Sequence, residues 1–272
     1  MRSRLEDKVA VVTGAGSPRG LGFAAARCMS RDGAKILLAD LAQEGLGPGK
    51  TSELERRAEE LRAVGAEAAC CSLDLTNDDD IKACAAFAQE TFGGIDILFN
   101  NAGVTLGAGP FLETPDEAWT LQYSVHVAGM AALCKAVIPS MRERGGGSIV
   151  NTSSNWATKV HRGASIYAAT KLGTIGLTKA IAAEHGRDNI RCNAILPGPI
   201  RTDMQDRRVK REAARDKIGE EEARARIAAP LALGRVGEPE EVGEVVAFLA
   251  SPLASFITGA AIPIDGGDME GL

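Results

Sequence analysis

The stretch SIYAATK at 165–171 holds one of only two tyrosines in the chain, with a lysine four residues further on. On a helix, positions i and i+4 lie on one face a turn apart, so the Tyr167 phenol and the Lys171 ammonium can share a site. The chemistry open to such a pair is proton transfer. A phenol titrates near pH 10, and bringing it to about 7 takes roughly 4 kcal/mol at about 1.36 kcal/mol per pH unit. One ammonium about 4 Å away supplies roughly that at an effective dielectric of about 20. Tyr-x-x-x-Lys also arises by chance in amphipathic helices, so the spacing needs its surroundings to carry meaning.

A second stretch, TGAGSPRGLG at 13–22, follows the β-branched run KVAVVTG and opens the helix-like segment LGFAAARCMSRDGA. A dinucleotide phosphate loop requires that context. Gly14 and Gly16 permit a tight turn, and Gly20 and Gly22 let backbone approach a pyrophosphate. The helix opening at Leu21 adds free N–H groups and positive partial charge. Twenty residues beyond Gly20 the next apolar run ends in Asp40, where a carboxylate would accept hydrogen bonds from an adenosine ribose. Asp40 favours NAD over NADP, because a carboxylate about 4 Å from a 2′-phosphate costs on the order of 4 kcal/mol per charge pair at effective dielectric about 20. Arg19, inside the loop, either pairs with that phosphate and permits dual use, or remains a solvated surface residue.

These stretches need a frame to position them. KILLAD, AEAACCSLDL, IDILFN, GSIVNTSS and NIRCNAILPG are further apolar runs of strand type. They alternate with helix-patterned segments: SELERRAEELRAVG ending at Gly65, a helix at about 78–92, a long helical region through Ala136, and the helix that carries Tyr167. Strands apolar throughout, alternating with helices, predict an α/β fold, a Rossmann-type doubly wound parallel sheet in a single domain. AQEGLGPGK, between Leu41 and Thr51, reads as an extended loop. The segment 203–226 is dense in charge, but seven acids face eight basic residues. A solvated helix is its plain reading, and a variable cover over a site, at about 203–230, is the functional one.

The chain has 272 residues, 45% of them hydrophobic and 25% charged, with a net charge of −5. One large domain with an ample core fits those values. An acidic balance gives nucleic acid no basic face, and the few aromatics argue against a base-stacking surface. The six cysteines include no C-x-x-C pair and no zinc-type spacing with the three histidines, so no metal site is expected and the thiols read as reduced. The N-terminal MRSRLEDKVA lacks a signal-peptide core, and no uninterrupted apolar run of bilayer length is evident, which points to a cytoplasmic protein without a membrane partner.

Taken in order, TG plus glycines, the DL pair at Asp74 and Leu75, NNAG at 100–103, IVNTSS, YAATK, PGPIRT and the closing ITGAAIPIDGG resemble the short-chain dehydrogenase/reductase family over nearly the whole chain. The resemblance implies a nicotinamide-dependent oxidoreductase interconverting a secondary alcohol and a ketone. Admissible substrates include 3-oxoacyl thioesters, steroids, polyols and small cyclic alcohols. It implies that Tyr167 is the acid or base, that Ser154, thirteen residues earlier, binds the substrate oxygen, and that Lys171 holds the nicotinamide ribose. It further implies that Asp74 and Leu75 border the adenine, and that Asn101, Ala102 and Gly103 line the cofactor crevice. Pro197, Gly198, Ile200 and Thr202 of PGPIRT would lie at the cofactor, with Ile200 and Thr202 meeting the carboxamide. A homotetramer packed through the long helices is implied as well.

Two departures stand out. Five residues separate Gly14 from Gly20 where the family pattern has three, which lengthens the phosphate loop. Seven residues after Trp119, the family's asparagine position holds His126. That histidine is either a helix-packing residue that preserves the relay's backbone water site, or an imidazole with a pKa near 6.5 that joins the relay from the lysine and shifts the acid limb of activity. His161 and His185 have no motif context and read as loop or surface residues. The competing functional reading is an NAD-binding sensor or scaffold without turnover, which only His126 favours.

Overall fold

The computed structural model describes residues 4–41 and 52–269; the glycine-rich AQEGLGPGK segment lies outside the described residues. Strands β1 (Val9–Thr13), β2 (Lys35–Asp40), β3 (Ala68–Ser72), β4 (Ile97–Asn100), β5 (Gly147–Thr152), β6 (Ile190–Pro197) and β7 (Ala261–Ile264) form one parallel sheet in the order β3-β2-β1-β4-β5-β6-β7. Both faces of the central strands are covered, which is why their sequences run apolar without alternation.

One face packs under α1 (Leu21–Arg31), α2 (Glu53–Ala63) and α9 (Pro239–Ala250), joining Ala10, Val12, Ile36 and Phe99 to Phe23, Leu61 and Val246. The other packs under α3 (Asp78–Phe92), α5 (Met130–Glu143) and α6 (Ser165–His185), joining Val11, Leu37, Leu98 and Ile149 to Ile81, Leu133 and Ile181. Side-chain caps fix the helix starts: Ser52 Oγ accepts from Glu55 N, and Asn77 Oδ1 accepts from Asp79 N. The charged segment folds as two helices, α7 (Asp203–Asp216) and α8 (Glu220–Ala228), which pack on each other through Val209, Ala213, Ala223 and Ile227.

The long helical region extends past Ala136. Helix α4 (Asp116–Tyr123) passes through a widened π-type turn, Ser124–Gly129, directly into α5. The continuous helical run Asp116–Glu143 is long and apolar enough, by length and composition alone, to match a membrane span, although its sequence is not an uninterrupted apolar run. Half of its most apolar part is buried inside the protein. Cys28, Cys84, Cys134 and Cys192 are buried, while Cys70 and Cys71 are half-buried on β3. Because the chain leaves β1 for β2 and β3 and then returns beside β1 as β4, a crevice opens at the carboxyl ends of β1 and β4.

Candidate active site

The crevice is stapled by backbone and by Thr13, a residue sequence reasoning passed over. Its buried hydroxyl accepts from Asn101 N (2.9 Å) and Ala102 N (3.0 Å). Asn101 Nδ2 returns to Thr13 O (3.0 Å) and Gly14 O (3.1 Å), so this side chain ties the two loops together instead of facing a ligand. Gly14 turns with φ +65°, and a Cβ there would come within 2.8 Å of Ala102 Cα. A Cβ at Gly22 would meet Gly14 O at 2.5 Å. Gly20 caps α1 without any side-chain hydrogen bond, leaving the N–H groups at the helix start without a side-chain cap.

Asp40 closes one side of this cradle. Its Oδ2 accepts from Gly16 N (2.7 Å) and its Oδ1 from Leu41 N (2.8 Å). Arg19 is a surface residue, as one of the two sequence readings had it, with its side chain half exposed, and α7 engages it there: its Nε donates to Asp203 Oδ1 at 2.9 Å and its Nη2 to Asp206 Oδ2 at 2.6 Å. Asp74 Oδ1 is drawn into a local turn by Thr76 N and Oγ1 (2.8 and 2.7 Å), and the Leu75 side chain joins the core. Pro197 and Ile200 are buried, Gly198 N donates to Ile264 O (3.0 Å), and Thr202 caps α7 by accepting from Gln205 N (3.3 Å).

Across the crevice, β5 and α6 bring the candidate chemical groups together. Ser154 follows the end of β5; its Oγ accepts from Trp156 N (3.2 Å) and is hydrogen-bonded with the Tyr167 phenol. Lys171, 3% exposed, donates from Nζ to Thr152 O (2.8 Å) and lies 5.7 Å from the Tyr167 ring centroid. Ser153 Oγ donates to Lys171 O (2.7 Å), locking α6 to the strand end. The Tyr167 ring is held edge-on by Trp156 at 6.1 Å and His126 at 5.9 Å.

Burial dominates the electrostatics and corrects the sequence-level expectation of an acidified phenol. Desolvation raises the Tyr167 pKa, only partly opposed by the Ser154 hydrogen bond. The same burial pushes the Lys171 ammonium down to about 7, so near neutral pH it carries only part of the charge on which acidification depended.

His126 resolves toward packing. Val104 N can only donate, so Nε2 accepts that hydrogen bond (3.0 Å) and the proton sits on Nδ1, facing Thr170 Oγ1 at 3.0 Å. The Thr170 hydroxyl in turn donates to Tyr167 O (3.2 Å). Burial, reinforced by the Lys171 charge, holds the imidazole down to about 2, so a ring titrating near 6.5 is not what this site contains. The His126 carbonyl accepts from Thr174 Oγ1 (3.2 Å). A Cβ on Gly103 would lie 3.0 Å from His126 Nε2 and 3.6 Å from Lys171 Nζ, so Gly103 sits at the meeting point of both.

Other polar residues came to light only in three dimensions. Asn100 Nδ2 donates to Asn151 Oδ1 (2.9 Å), its register partner, and Asn151 Nδ2 donates to Thr178 Oγ1 (2.9 Å). The one signal in sequence was an asparagine near the end of two apolar strands. His161 stacks at 4.9 Å from Trp156, and His185 pairs with Asp188 Oδ2 (3.1 Å). Beyond Trp156 a cavity of about 250 Å³ is lined by His161, Arg208, Arg226 and Asp268, with Ile227 and Leu231 as its apolar wall; Met204 is exposed.

A family model described as Enoyl-(Acyl carrier protein) reductase matches residues 14–268. The meso-2,3-butanediol dehydrogenase of Serratia marcescens is 38% identical over 264 residues, covering 97% of this chain and 95% of that protein. The crystal structure of levodione reductase superposes with a TM-score of 0.88 at 34% identity, covering 97% of this chain and 98% of the other. The L-sorbose reductase of Gluconobacter frateurii, solved with NADPH and L-sorbose, gives a TM-score of 0.90 at 30% identity with 100% of each chain covered. Likeness of this extent, over the whole sheet, shows that the chain belongs to the short-chain dehydrogenase/reductase family and is an oxidoreductase acting on the CH–OH group of an alcohol or the corresponding carbonyl of a ketone.

Proposed function

We propose that this protein interconverts a secondary alcohol and a ketone with NAD(H) as cofactor and Tyr167 as the proton-exchanging group. The observation that carries this is the convergence of Ser154, Tyr167 and a buried Lys171 on one end of the sheet, beside the glycine cradle. The cradle fits a dinucleotide: close-packed glycines leave no room for side chains, α1 presents uncapped N–H groups, and Asp40 is held at the loop by Gly16 N. Gly14, Gly16, Gly20 and Gly22 would hold the pyrophosphate side, Asp40 the adenosine ribose and Lys171 the nicotinamide ribose. Bound nicotinamide supplies the hydride chemistry and, when oxidised, an added positive charge.

The chain's own residues handle the oxygen and the proton. A substrate oxygen between the Ser154 and Tyr167 hydroxyls receives two hydrogen bonds, which orient it and stabilise charge as it becomes an alkoxide. The raised phenol is protonated at neutral pH and suited to donate to that oxygen in carbonyl reduction. In oxidation the same oxygen accepts the alcohol proton from its phenolate form, which must first lose its own proton to solvent and which the positive charges of Lys171 and the oxidised ring would favour. Asp40 supports NAD over NADP by charge repulsion of a 2′-phosphate, and the engagement of Arg19 by carboxylates removes the cation that would offset it. His126, the feature that favoured a non-catalytic cofactor sensor, is accommodated by ordinary hydrogen bonds. Exposed Leu121, Tyr123 and Leu172 on the long helices give apolar surface for the homotetramer that we include in this proposal.

The test is a panel of secondary alcohols with NAD+ and NADP+, and of ketones with NADH and NADPH, followed by nicotinamide absorbance. Turnover with NAD(H) on at least one class supports the proposal. Tight NADH binding with no turnover on any class would refute it.

A further inference from the structure

The phosphate loop, residues 13–22, contains a single charged side chain, Arg19. It is bound by α7, the helix read from sequence as a cover over the site, some 184 residues away in the chain. Arg19 Nε donates to Asp203 Oδ1 (2.9 Å), with Nη2 on the same oxygen, and Nη2 also reaches Asp206 Oδ2 (2.6 Å). Ser17 Oγ, from the same loop, donates to Asp203 Oδ2 (2.7 Å). Arg224 on α8 closes the cluster through Asp206 Oδ1 (2.7 Å). Hydrogen bonds from Ser17 and Arg19 hold the Asp203 carboxyl below the usual range, and those from Arg224 and Arg19 do the same for Asp206, so both are ionised at neutral pH. Two arginines thus meet two carboxylates, and the cluster as a whole carries no net charge.

Asp40 stands at the same loop with its own hydrogen bond from Gly16 N. A 2′-phosphate arriving there meets a carboxylate that nothing positive in the loop offsets, because the loop's cation is held from outside. We propose that Asp203 and Asp206 of α7 are cofactor-specificity residues: by holding the Arg19 guanidinium they withhold it from a 2′-phosphate, so the cover of the substrate site determines which nicotinamide cofactor the loop accepts. This rests on the NAD(H) assignment above and extends it to residues outside the nucleotide cradle.

The experiment measures dissociation constants of NADH and NADPH by nicotinamide fluorescence for the wild type, Asp203→Asn/Asp206→Asn, and that double variant with Arg19→Ala added. Wild type is expected to bind NADH more tightly. In the double variant the ratio Kd(NADPH)/Kd(NADH) falls about tenfold, equivalent to about 1.4 kcal/mol, and Arg19→Ala returns it to the wild-type value. Retained NADH binding reports that each variant is folded; if the double variant is not, Asp203→Asn alone is expected to lower the ratio about threefold. A ratio unmoved within about twofold in a folded variant, or a gain that survives Arg19→Ala, overturns this inference while leaving the NAD(H) assignment standing. Wild type binding NADPH more tightly overturns both.

Discussion

Replacing His126 by asparagine separates a packing histidine from a relay histidine by its proton. Below pH 6.5 the unfolded chain protonates this imidazole, whereas the folded chain resists until about 2. Between those values the unfolded state binds one more proton, so this group's stabilising contribution is full above 6.5 and is lost progressively as pH falls toward 2. At about 1.36 kcal/mol per pH unit, the wild type loses roughly 3 kcal/mol from this ring between pH 6.5 and pH 4. His126→Asn abolishes that loss but leaves Val104 N and Thr170 Oγ1 short of their partner. The variant should therefore be about 2 to 3 kcal/mol less stable at pH 7. The two stability curves then converge near pH 4. Urea unfolding followed by tryptophan fluorescence at intervals from pH 4 to pH 8 gives the two curves. Curves that run parallel over the whole range would refute the neutral, buried imidazole. Plots of log kcat against pH should superimpose after scaling, and a displaced acid limb would reinstate the relay.

Three further outcomes follow from the same geometry. Tyr167→Phe should lower turnover by about two to four orders of magnitude while leaving NADH affinity within about threefold; loss confined to a factor below ten would remove Tyr167 from proton exchange. Lys171→Met removes a cation whose burial penalises the folded state fully below pH 7 and fades as pH rises toward 10.5. It should abolish turnover and yet raise stability by roughly 2 kcal/mol at pH 6, the gain shrinking by pH 10 in urea titrations. Asp96→Asn should lower stability at pH 7 by about 2 to 3 kcal/mol. Burial works against the Asp96 carboxylate, but Arg144, Val9 N and Lys8 outweigh it and keep its pKa below the ordinary value. Its contribution is therefore present above pH 3.8 and lost on acidification through the folded-state pKa, which acid titration of both proteins will show.

Much of the frame was legible because buried parallel strands carry apolar residues on both faces and must read as uninterrupted runs, as KVAVVTG and KILLAD do. The helix at 78–92 and the stops at Gly33 and Gly65 were equally local, since glycine adopts the positive φ there (+95° and +90°) without strain. The Tyr167 and Lys171 pairing was written in helical spacing. The partnership with Ser154 was not, because strand β5 and helix α6 meet only when the sheet forms, and the thirteen-residue interval drew its meaning from family resemblance.

Residue types, their order and their short-range spacing determined which groups are available: a phenol, a lysine, a serine, a glycine loop and one acidic strand end. Tertiary structure decided what state those groups are in. Removal of water from Tyr167, Lys171 and His126 required elements from distant parts of the chain to close over them, and that desolvation shifts each pKa against its charged form. Arg19 stays at the surface, but its carboxylate partners arrive only when α7 folds onto it, because charge pairing acts over a few ångströms of space and takes no account of distance along the chain.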